Sequence, residues 1–441
     1  MAIITPFRGF IYNEAIAGGI GDLVCPPYDI ISPSEQQELY RKSPYNVVRL
    51  EFGLESPGDT ADDNRYTRAV ATLNEWLSRD VLRQSREDAF YIYEMEYKAG
   101  GRVRKLRGFI SLVRIEDYET GIVKPHETTL SGPKTDRLNL LRACRAGFSQ
   151  IFSLVSDPEG TVSGVLGKAT GRPQMEVKHS DGVVHRVWIL TDKADLDAIT
   201  GALADQPVYI ADGHHRYDTA LNYRNERRKA AGSVTGQEGF NFVPMFLARI
   251  EDPGLTILPA HRALFNLVDF HPRRFEDDLN RYFNIERIDF TKKSEPADRR
   301  TVMETMAKRA DHAHVFGVRV KGEHSYYLLT LRDPADMERI VPDKSPAYRQ
   351  LDVSILHHLI IDRLLGIRME THKLGLNIEY IKDADDAVKR VADGAAEVIF
   401  LMNPTKVTEV RDVAAAGERM PQKATYFYPK LLSGLVVNVI E

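Results

Sequence analysis

The chain has 441 residues, of which 43% are hydrophobic and 28% are charged, as is typical of a globular protein with two or three domains. Its 59 lysines and arginines stand against 63 aspartates and glutamates, and the net charge of −4 gives no sign of a nucleic-acid partner. No apolar run reaches the ~20 residues of a membrane span, and the start of the chain does not resemble a signal peptide. Because Cys25 and Cys144 form neither a disulfide framework nor a zinc motif, we expect a cytoplasmic protein without a membrane partner.

The first 265 residues are predicted to mix strands and helices without a regular alternation. Helices are predicted over residues 61–80, 136–146 and 195–204. Strands are predicted over residues 7–12, 46–52, 89–98, 104–115, 148–155, 174–179, 183–190, 208–210, 240–250 and 255–258. This order indicates an α+β fold with a mixed sheet, because a doubly wound fold would show a repeated strand–helix alternation.

The remainder of the chain is predicted to form further α/β structure. A charged helix over residues 299–310 and a hairpin over residues 315–332 are followed by one apolar helix over residues 346–366. The last 75 residues predict strand, helix, strand, helix and a final strand near residues 435–440. No glycine- and serine-rich linker separates these parts, so we expect them to pack together.

Residues 207–221 are the most informative stretch and predict a strand, a glycine turn and a helix. The β-prone run ends at Asp212-Gly213, and His214, His215 and Arg216 open the helical pattern. The first N–H groups of a helix lack partners within it and lie at the positive end of its dipole, which suits a phosphate. The alternative is that Asp212 only caps the helix and the histidines decorate a turn. We interpret the segment as an anion site.

A second candidate is the loop Lys124-Pro-His-Glu-Thr128. Glu127 beside His126 in a proline-bounded loop can accept a proton from a substrate hydroxyl or hold a metal. Downstream, Lys134 and Arg137 are candidates for contacts with phosphate oxygens. The alternative is a solvated loop that leads into a helix.

Two other segments are candidate parts of a ligand cleft. Residues 417–430 form a loop rich in aromatic and polar residues, where Lys423 is the candidate ligand contact, although a tightly packed structural loop would look the same. His261-Arg262 follows a predicted strand, and Arg262 is a candidate for another anion contact.

These motifs carry a resemblance to known proteins. The whole chain resembles the DUF1015 proteins, whose recurring blocks are recognisable at residues 25–32, 46–50, 126–137, 211–217, 258–262 and 420–430. Asp212-Gly-His-His-Arg216, together with Lys124-Pro-His-Glu127, also resembles the free-serine kinases of the ParB/sulfiredoxin-like superfamily. The resemblance implies a mixed-sheet nucleotide-binding core over residues 1–265, an α/β subdomain over residues 266–345, and a C-terminal α/β region over residues 346–441 that returns to the cleft.

The resemblance also implies an activity. It points to a kinase that uses ATP or ADP with Mg²⁺ and phosphorylates the hydroxyl of a small molecule, with free L-serine giving O-phosphoserine as the leading case. Glu127, with His126, would act as the base, Asp212 would assist it or hold Mg²⁺, and residues 213–216 would bind phosphate. A base must reach the acceptor, so we predict that residues 126–127 lie within ~10 Å of the 212–216 turn.

Other functions and a homodimer stay open at this point. A ParB-like protein that binds or hydrolyses its nucleotide as a switch is the main alternative. A metal hydrolase built on His126, His214 and His215 is disfavoured, because no pair of histidines shows the spacing of a metal motif.

Overall fold

The computed structural model describes residues 1–129, 131–367 and 377–440, and the chain forms two compact units. The first unit comprises Met1–Pro125, Thr129–Thr256 and Pro429–Glu441, and the second comprises His126–Thr128 and Ile257–Tyr428. Within the described ranges, no helix combines the length and the apolar character needed to cross a bilayer.

The first unit is built on a nine-stranded mixed sheet. The strands of the first unit up to residue 249 are β1 (Ile4–Thr5), β2 (Phe10–Tyr12), β3 (Leu82–Gln84), β4 (Phe90–Ala99), β5 (Arg102–Arg114), β6 (Val123–Lys124), β7 (Ala146–Gly147), β8 (Ile151–Val155), β9 (Met175–Lys178), β10 (Val184–Leu190), β11 (Val208–Asp212) and β12 (Phe242–Arg249). Of these, β2, β3 and β7 lie outside the nine-stranded sheet. The order in the sheet is β6-β11-β8-β12-β5-β4-β10-β9, with β1 paired to β5. The pairs β6–β11 and β8–β12 are parallel, whereas the others in this sheet are antiparallel. The predicted α+β fold with a mixed sheet is therefore confirmed.

Helices of the first unit cover this sheet and its loops. They are α1 (Glu14–Ala17), α2 (Pro33–Lys42), α3 (Val48–Glu51), α4 (Arg65–Ser78), α5 (Ser131–Cys144), α6 (Thr161–Gly167), α7 (Lys193–Leu203) and α8 (His214–Ala231). Two buried residues anchor α8: the Tyr217 hydroxyl donates to the Glu116 carbonyl at 2.7 Å, and Arg224 Nη1 donates to the Ile115 carbonyl at 2.7 Å. Tyr217 also belongs to the apolar core that the sheet buries. These contacts fix the position at which α8 begins.

The second unit contains a six-stranded sheet in the order β15-β17-β16-β19-β14-β18, and its neighbouring strands are antiparallel. Its strands, with a separate β13–β20 pair, are β13 (Thr256–Leu258), β14 (His261–Leu264), β15 (Phe283–Asp289), β16 (Val315–Val320), β17 (Ser325–Leu331), β18 (Ile378–Ile381), β19 (Val398–Leu401) and β20 (Tyr426–Tyr428). Its helices are α9 (Pro272–Leu279), α10 (Glu295–Arg309), α11 (Asp336–Ile340), α12 (Pro346–Arg349), α13 (Asp352–Ser354), a π-helical segment (Ile355–Leu364), α14 (Ala384–Ala392) and α15 (Val407–Ala415). The chain then returns to the first unit, where β21 (Asn438–Val439) pairs with β7.

Two predicted elements were wrong. Residues 46–52 were expected to form a strand, but Asn46 is buried and its Oδ1 accepts from the Val48 N–H at 3.0 Å, which starts the helical turn α3. The single helix expected over residues 346–366 is instead α12, α13 and the π-helical segment, because the extended backbone of Leu351 (φ −75°, ψ 131°) interrupts it.

The two compact units have other boundaries than the three segments predicted from sequence. Strand β14 lies within the predicted first segment, yet it pairs with β18 and β19 near the end of the chain. A strand of the predicted first segment therefore pairs with strands of the predicted third, because strand pairing joins residues that are distant in sequence.

Candidate functional site

The segment predicted as strand, glycine turn and helix has that structure. Strand β11 ends at Asp212, Gly213 adopts a left-handed conformation (φ 93°, ψ 27°), and α8 begins at His214. A Cβ atom on Gly213 would lie 2.8 Å from Arg216 Nη2 and 2.9 Å from Arg216 Nε. Glycine is therefore required here both by the backbone conformation and by the close approach of the arginine.

Two cationic side chains form ion pairs with the carboxylate of Asp212 at this turn. Lys430 Nζ lies 2.8 Å from Asp212 Oδ1, and Arg216 Nη2 lies 3.3 Å from Asp212 Oδ2. Arg216 also donates through Nη1 to the backbone carbonyl of Gln150. Burial alone would raise the pKa of Asp212, but the Lys430 ammonium and the Arg216 guanidinium lower it to about 2. Asp212 is thus ionised at neutral pH and holds two cations beside the start of α8.

The two histidines of the motif open α8. His214 is buried, and a positive charge on its imidazole lowers the pKa of Asp212. His215 is half-buried. We call the side chains of Asp212, Arg216 and Lys430 the turn cluster, and His214 lies near its carboxylate.

An apolar cavity of about 70 Å³ lies along the same helix. Arg216 and three later residues of α8, Thr219, Ala220 and Tyr223, line it together with Leu140 of α5. The hydroxyl of Thr219 is buried and has no hydrogen-bond partner within residues 1–129, 131–367 and 377–440. The side chain of Arg216 therefore contacts the carboxylate of Asp212 and also lines the apolar cavity.

Lys134 and Arg137, both predicted to bind phosphate, differ in their surroundings. Lys134 Nζ lies 3.6 Å from Asp218 Oδ2, one helical turn beyond His214 on α8. Arg137 is buried, donates to Asp136 Oδ2 at 2.6 Å and to the Glu51 carbonyl at 2.6 Å, and stacks on a tyrosine ring. Lys134 is thus close to the start of α8, whereas the contacts of Arg137 favour a structural role.

The sheet brings the ends of two strands together. Strands β6 and β11 are parallel neighbours, with Val123 opposite Val208 and Lys124 opposite Tyr209. The carboxyl ends of parallel neighbours lie at the same edge of a sheet. In sequence, His126 and Glu127 follow β6 after Pro125, but they belong to the second compact unit, so the predicted distance of ~10 Å to the 212–216 turn stays a prediction.

Within the second unit, the loop of residues 417–428 holds residues 126–128. His126 Nε2 lies 2.9 Å from Thr425 Oγ1, and the Lys423 N–H donates to Glu127 Oε1 at 3.2 Å. Arg419 Nη1 donates to the Glu127 carbonyl at 3.1 Å. The contact of Lys423 with Glu127 is through its main chain, where Lys423 has a positive φ of 55°. The loop thus fixes the orientation of the Glu127 carboxylate.

Arg262 contacts the same loop, residues 417–428, through the backbone of Lys423. It is 2% exposed and donates through Nη2 to the Lys423 carbonyl at 3.1 Å. Its neighbour His261 accepts from the Met402 N–H through Nδ1 at 3.0 Å. Burial and the charge of Arg262 lower the pKa of His261 to about 4, so this histidine is neutral at pH 7.

Sequence reasoning missed Lys430 and Gln150. Lys430 ends the aromatic loop that was singled out, but its pairing with Asp212 depends on the return of the last residues of the chain to the first unit. Gln150 is fully buried and donates to the Val436 carbonyl at 2.5 Å, while its own carbonyl accepts from Arg216. No local pattern in the sequence indicates that Lys430 contacts Asp212 or that the Gln150 carbonyl contacts Arg216.

Metal binding was expected at Asp212. Among the described residues, no group of three or more histidine, cysteine or acidic side chains could hold a metal ion. Mg²⁺ often binds through one or two carboxylates together with substrate phosphates. Asp212 is a single ionised carboxylate that is already paired with two cations, so metal binding at this residue stays a prediction.

This chain is distantly similar to several solved structures. A conserved hypothetical protein from Pyrococcus furiosus is 13% identical with a TM-score of 0.34, over 75% of this chain and 95% of that chain. A mutant free serine kinase in complex with ADP is 12% identical with a TM-score of 0.35, over 75% of this chain and 92% of that chain. SbnI with a C-terminal truncation from Staphylococcus aureus is 13% identical with a TM-score of 0.34, over 74% of this chain and 86% of that chain. These values are too low to transfer a function.

The family comparison is specific. No curated protein matches the chain. The model of a family described as "Protein of unknown function (DUF1015)" matches residues 4–354. This segment includes the Asp212–Arg216 and His126–Glu127 motifs and Arg262, whereas the 420–430 block lies beyond it. The chain therefore belongs to the DUF1015 family.

Proposed function

We propose that the chain is a small-molecule kinase that transfers phosphate from ATP or ADP to a hydroxyl, with free L-serine as the leading acceptor. The observation that carries this proposal is the turn cluster, in which Arg216 and Lys430 flank Asp212 where α8 begins. Phosphoryl transfer needs positioned cations and a group that orients the nucleophile, and little covalent chemistry from the protein.

The phosphates would bind at the start of α8. Gly213 has no side chain to obstruct an approach to the backbone, and the helix dipole favours a negative charge there. Arg216 offers a planar fork and Lys430 a compact charge, and both side chains are already held in place by Asp212. Asp212 would be the residue that holds Mg²⁺, which would supply neutralisation of charge on the transferred group.

Glu127 would serve as the base. Its carboxylate would take the proton of the acceptor hydroxyl while the oxygen attacks the terminal phosphorus, and the bond from that phosphorus to the nucleotide would break. ATP would leave as ADP, and ADP as AMP. The N–H of Lys423 holds Glu127 Oε1, which supports a fixed orientation for this carboxylate. His126 would position the loop through its contact with Thr425.

The test is a direct assay of products. The protein is incubated with Mg²⁺, ATP or ADP, and a panel of amino acids and other small hydroxyl compounds, and new phosphomonoesters are detected by ³¹P NMR. We expect O-phosphoserine in amounts that match the nucleotide consumed. Nucleotide binding or hydrolysis without a phosphorylated acceptor would instead support the alternative, a ParB-like switch, and the absence of nucleotide binding would refute both.

A pair of arginine variants tests the phosphate site. Arg216→Ala is expected to weaken nucleotide binding, because a charge-assisted phosphate contact is lost. Arg142→Ala is the matched control, since Arg142 forms an exposed ion pair with Glu226 in the same unit. Equal affinities of the two variants would argue against a role for Arg216 in binding.

A cytoplasmic location and a homodimer remain predictions.

A further inference from the structure

Arg262 in the second unit is a buried cation without a carboxylate partner among the described residues. It belongs to strand β14, which lies between β19 and β18, and its Nη1 and Nη2 atoms donate to the carbonyls of Ala260 and Lys423. Its Nε atom is buried and has no hydrogen-bond acceptor in the part of the chain that the structure describes. The Tyr380 ring lies 5.4 Å from the guanidinium carbon. Carbonyls and a ring face satisfy donors, but they do not supply a counter-charge.

A buried charge of this kind is costly unless it is paired. Burial lowers the pKa of Arg262 to about 10, so the side chain is still protonated at neutral pH. A water molecule could accept from Nε, yet it would leave the charge uncompensated. The surroundings therefore suit an anion better than water.

Arg262 lines a cavity of about 40 Å³, which we call the Arg262 cavity. Its other charged groups are largely compensated. His314 Nδ1 lies 2.8 Å from Asp352 Oδ1, and Lys406 Nζ lies 2.8 Å from Asp311 Oδ1. Burial raises the pKa of Glu409, which favours its uncharged form. Arg262 is thus the charge in this cavity that most needs a partner.

We propose that the Arg262 cavity binds a small oxyanion, either a carboxylate or a phosphate group, through the guanidinium of Arg262. The cavity has room for roughly three water molecules, which is comparable to such a group. Asn403 and Thr405 add polar side chains to its lining. This site is independent of the proposed kinase function, because the turn cluster and Glu127 take no part in it.

The test is an anion titration of the full chain. Thermal unfolding is followed in HEPES buffer of low chloride content with increasing inorganic phosphate. A parallel titration uses acetate, and one with the larger anion of sodium gluconate is the control for ionic strength. Wild type is compared with Arg262→Met, which removes the charge and retains an apolar chain, and with Arg216→Ala, which disables the phosphate site proposed on α8. We expect phosphate or acetate to raise the melting temperature of wild type and of Arg216→Ala. The shift should be smaller in Arg262→Met, in which only the phosphate site proposed on α8 remains, and absent in the double variant Arg216→Ala/Arg262→Met.

Further outcomes decide the proposal and the source of the anion. In the buffer without added anion, Arg262→Met should be no less stable than wild type, because an uncompensated charge has been removed. A larger effect of acetate identifies a carboxylate ligand, and a larger effect of phosphate identifies a phosphate group. Equal shifts in wild type and Arg262→Met, or no anion-specific shift in wild type, would overturn the proposal. If Arg262→Met does not fold, Arg262→Lys replaces it, and we expect binding about tenfold weaker because the planar fork is lost.

Discussion

Gly213→Ala is the substitution that most directly tests the geometry of the turn cluster. Gly213 has a φ of 93°, and a non-glycine residue in a left-handed conformation costs about 1–2 kcal/mol. The new methyl group would also lie 2.8 Å from Arg216 Nη2, so the guanidinium must move away from Asp212 and the Gln150 carbonyl. We expect both a loss of stability and a displaced cation.

The displaced cation should weaken nucleotide binding. A hydrogen bond to a charged group contributes about 1.5–3 kcal/mol, which corresponds to a decrease in affinity of roughly 10- to 100-fold. Isothermal titration calorimetry with ATP and with ADP measures this decrease, and urea denaturation measures the change in the free energy of unfolding.

Gly232→Ala provides a matched control at the other end of α8. Gly232 also has a positive φ, 71°, but a Cβ atom there would meet no atom of the described residues within 4 Å. This variant should lose stability by a similar mechanism and bind nucleotide as wild type does. If Gly213→Ala retains wild-type affinity, or if Gly232→Ala loses as much, then the position of Arg216 does not determine binding.

The remaining predictions concern Glu127, Lys423, Arg137 and His261. Glu127→Gln should keep nucleotide affinity but lower turnover by about 10²–10⁴-fold in a steady-state assay, because a general base is removed; full activity would exclude Glu127 as the base. Lys423→Ala should weaken ligand binding with little change in melting temperature, since its observed contacts are made by the main chain; a large stability loss with unaltered binding would show a structural loop. Arg137→Met should destabilise by roughly 3–5 kcal/mol in urea denaturation, because a buried ion pair is broken, and should affect nucleotide affinity less than Arg216→Ala. The folded-state pKa of His261 is about 4, below the value of about 6.5 in an unfolded chain, so the unfolded state binds more protons between these values. The contribution of His261 to stability should therefore fall by up to about 1.4 kcal/mol per pH unit as pH drops from 6.5 towards 4, and His261→Gln should reduce the measured slope by that amount.

Local sequence patterns determined much of what is now seen. The strand, glycine turn and helix at residues 208–231 follow from a β-prone run, a glycine and a helical pattern, and each of these acts over a few residues. The β4–β5 hairpin around Gly100-Gly101 was predictable for the same reason. Residues 46–52 show the limit of such patterns, because the buried side chain of Asn46 starts a helix in a segment with strand-like composition.

The tertiary structure alone decided which distant residues meet. Lys430 pairs with Asp212 across 218 positions of sequence, and the β14 strand pairs with β18 and β19. Arg262 was a candidate anion contact from its place in the sequence, but its burial without a carboxylate partner among the described residues became visible in the folded chain. Hydrophobic periodicity and turn chemistry are set by neighbours along the chain, whereas ion pairs, burial and strand order depend on the path of the whole chain through space.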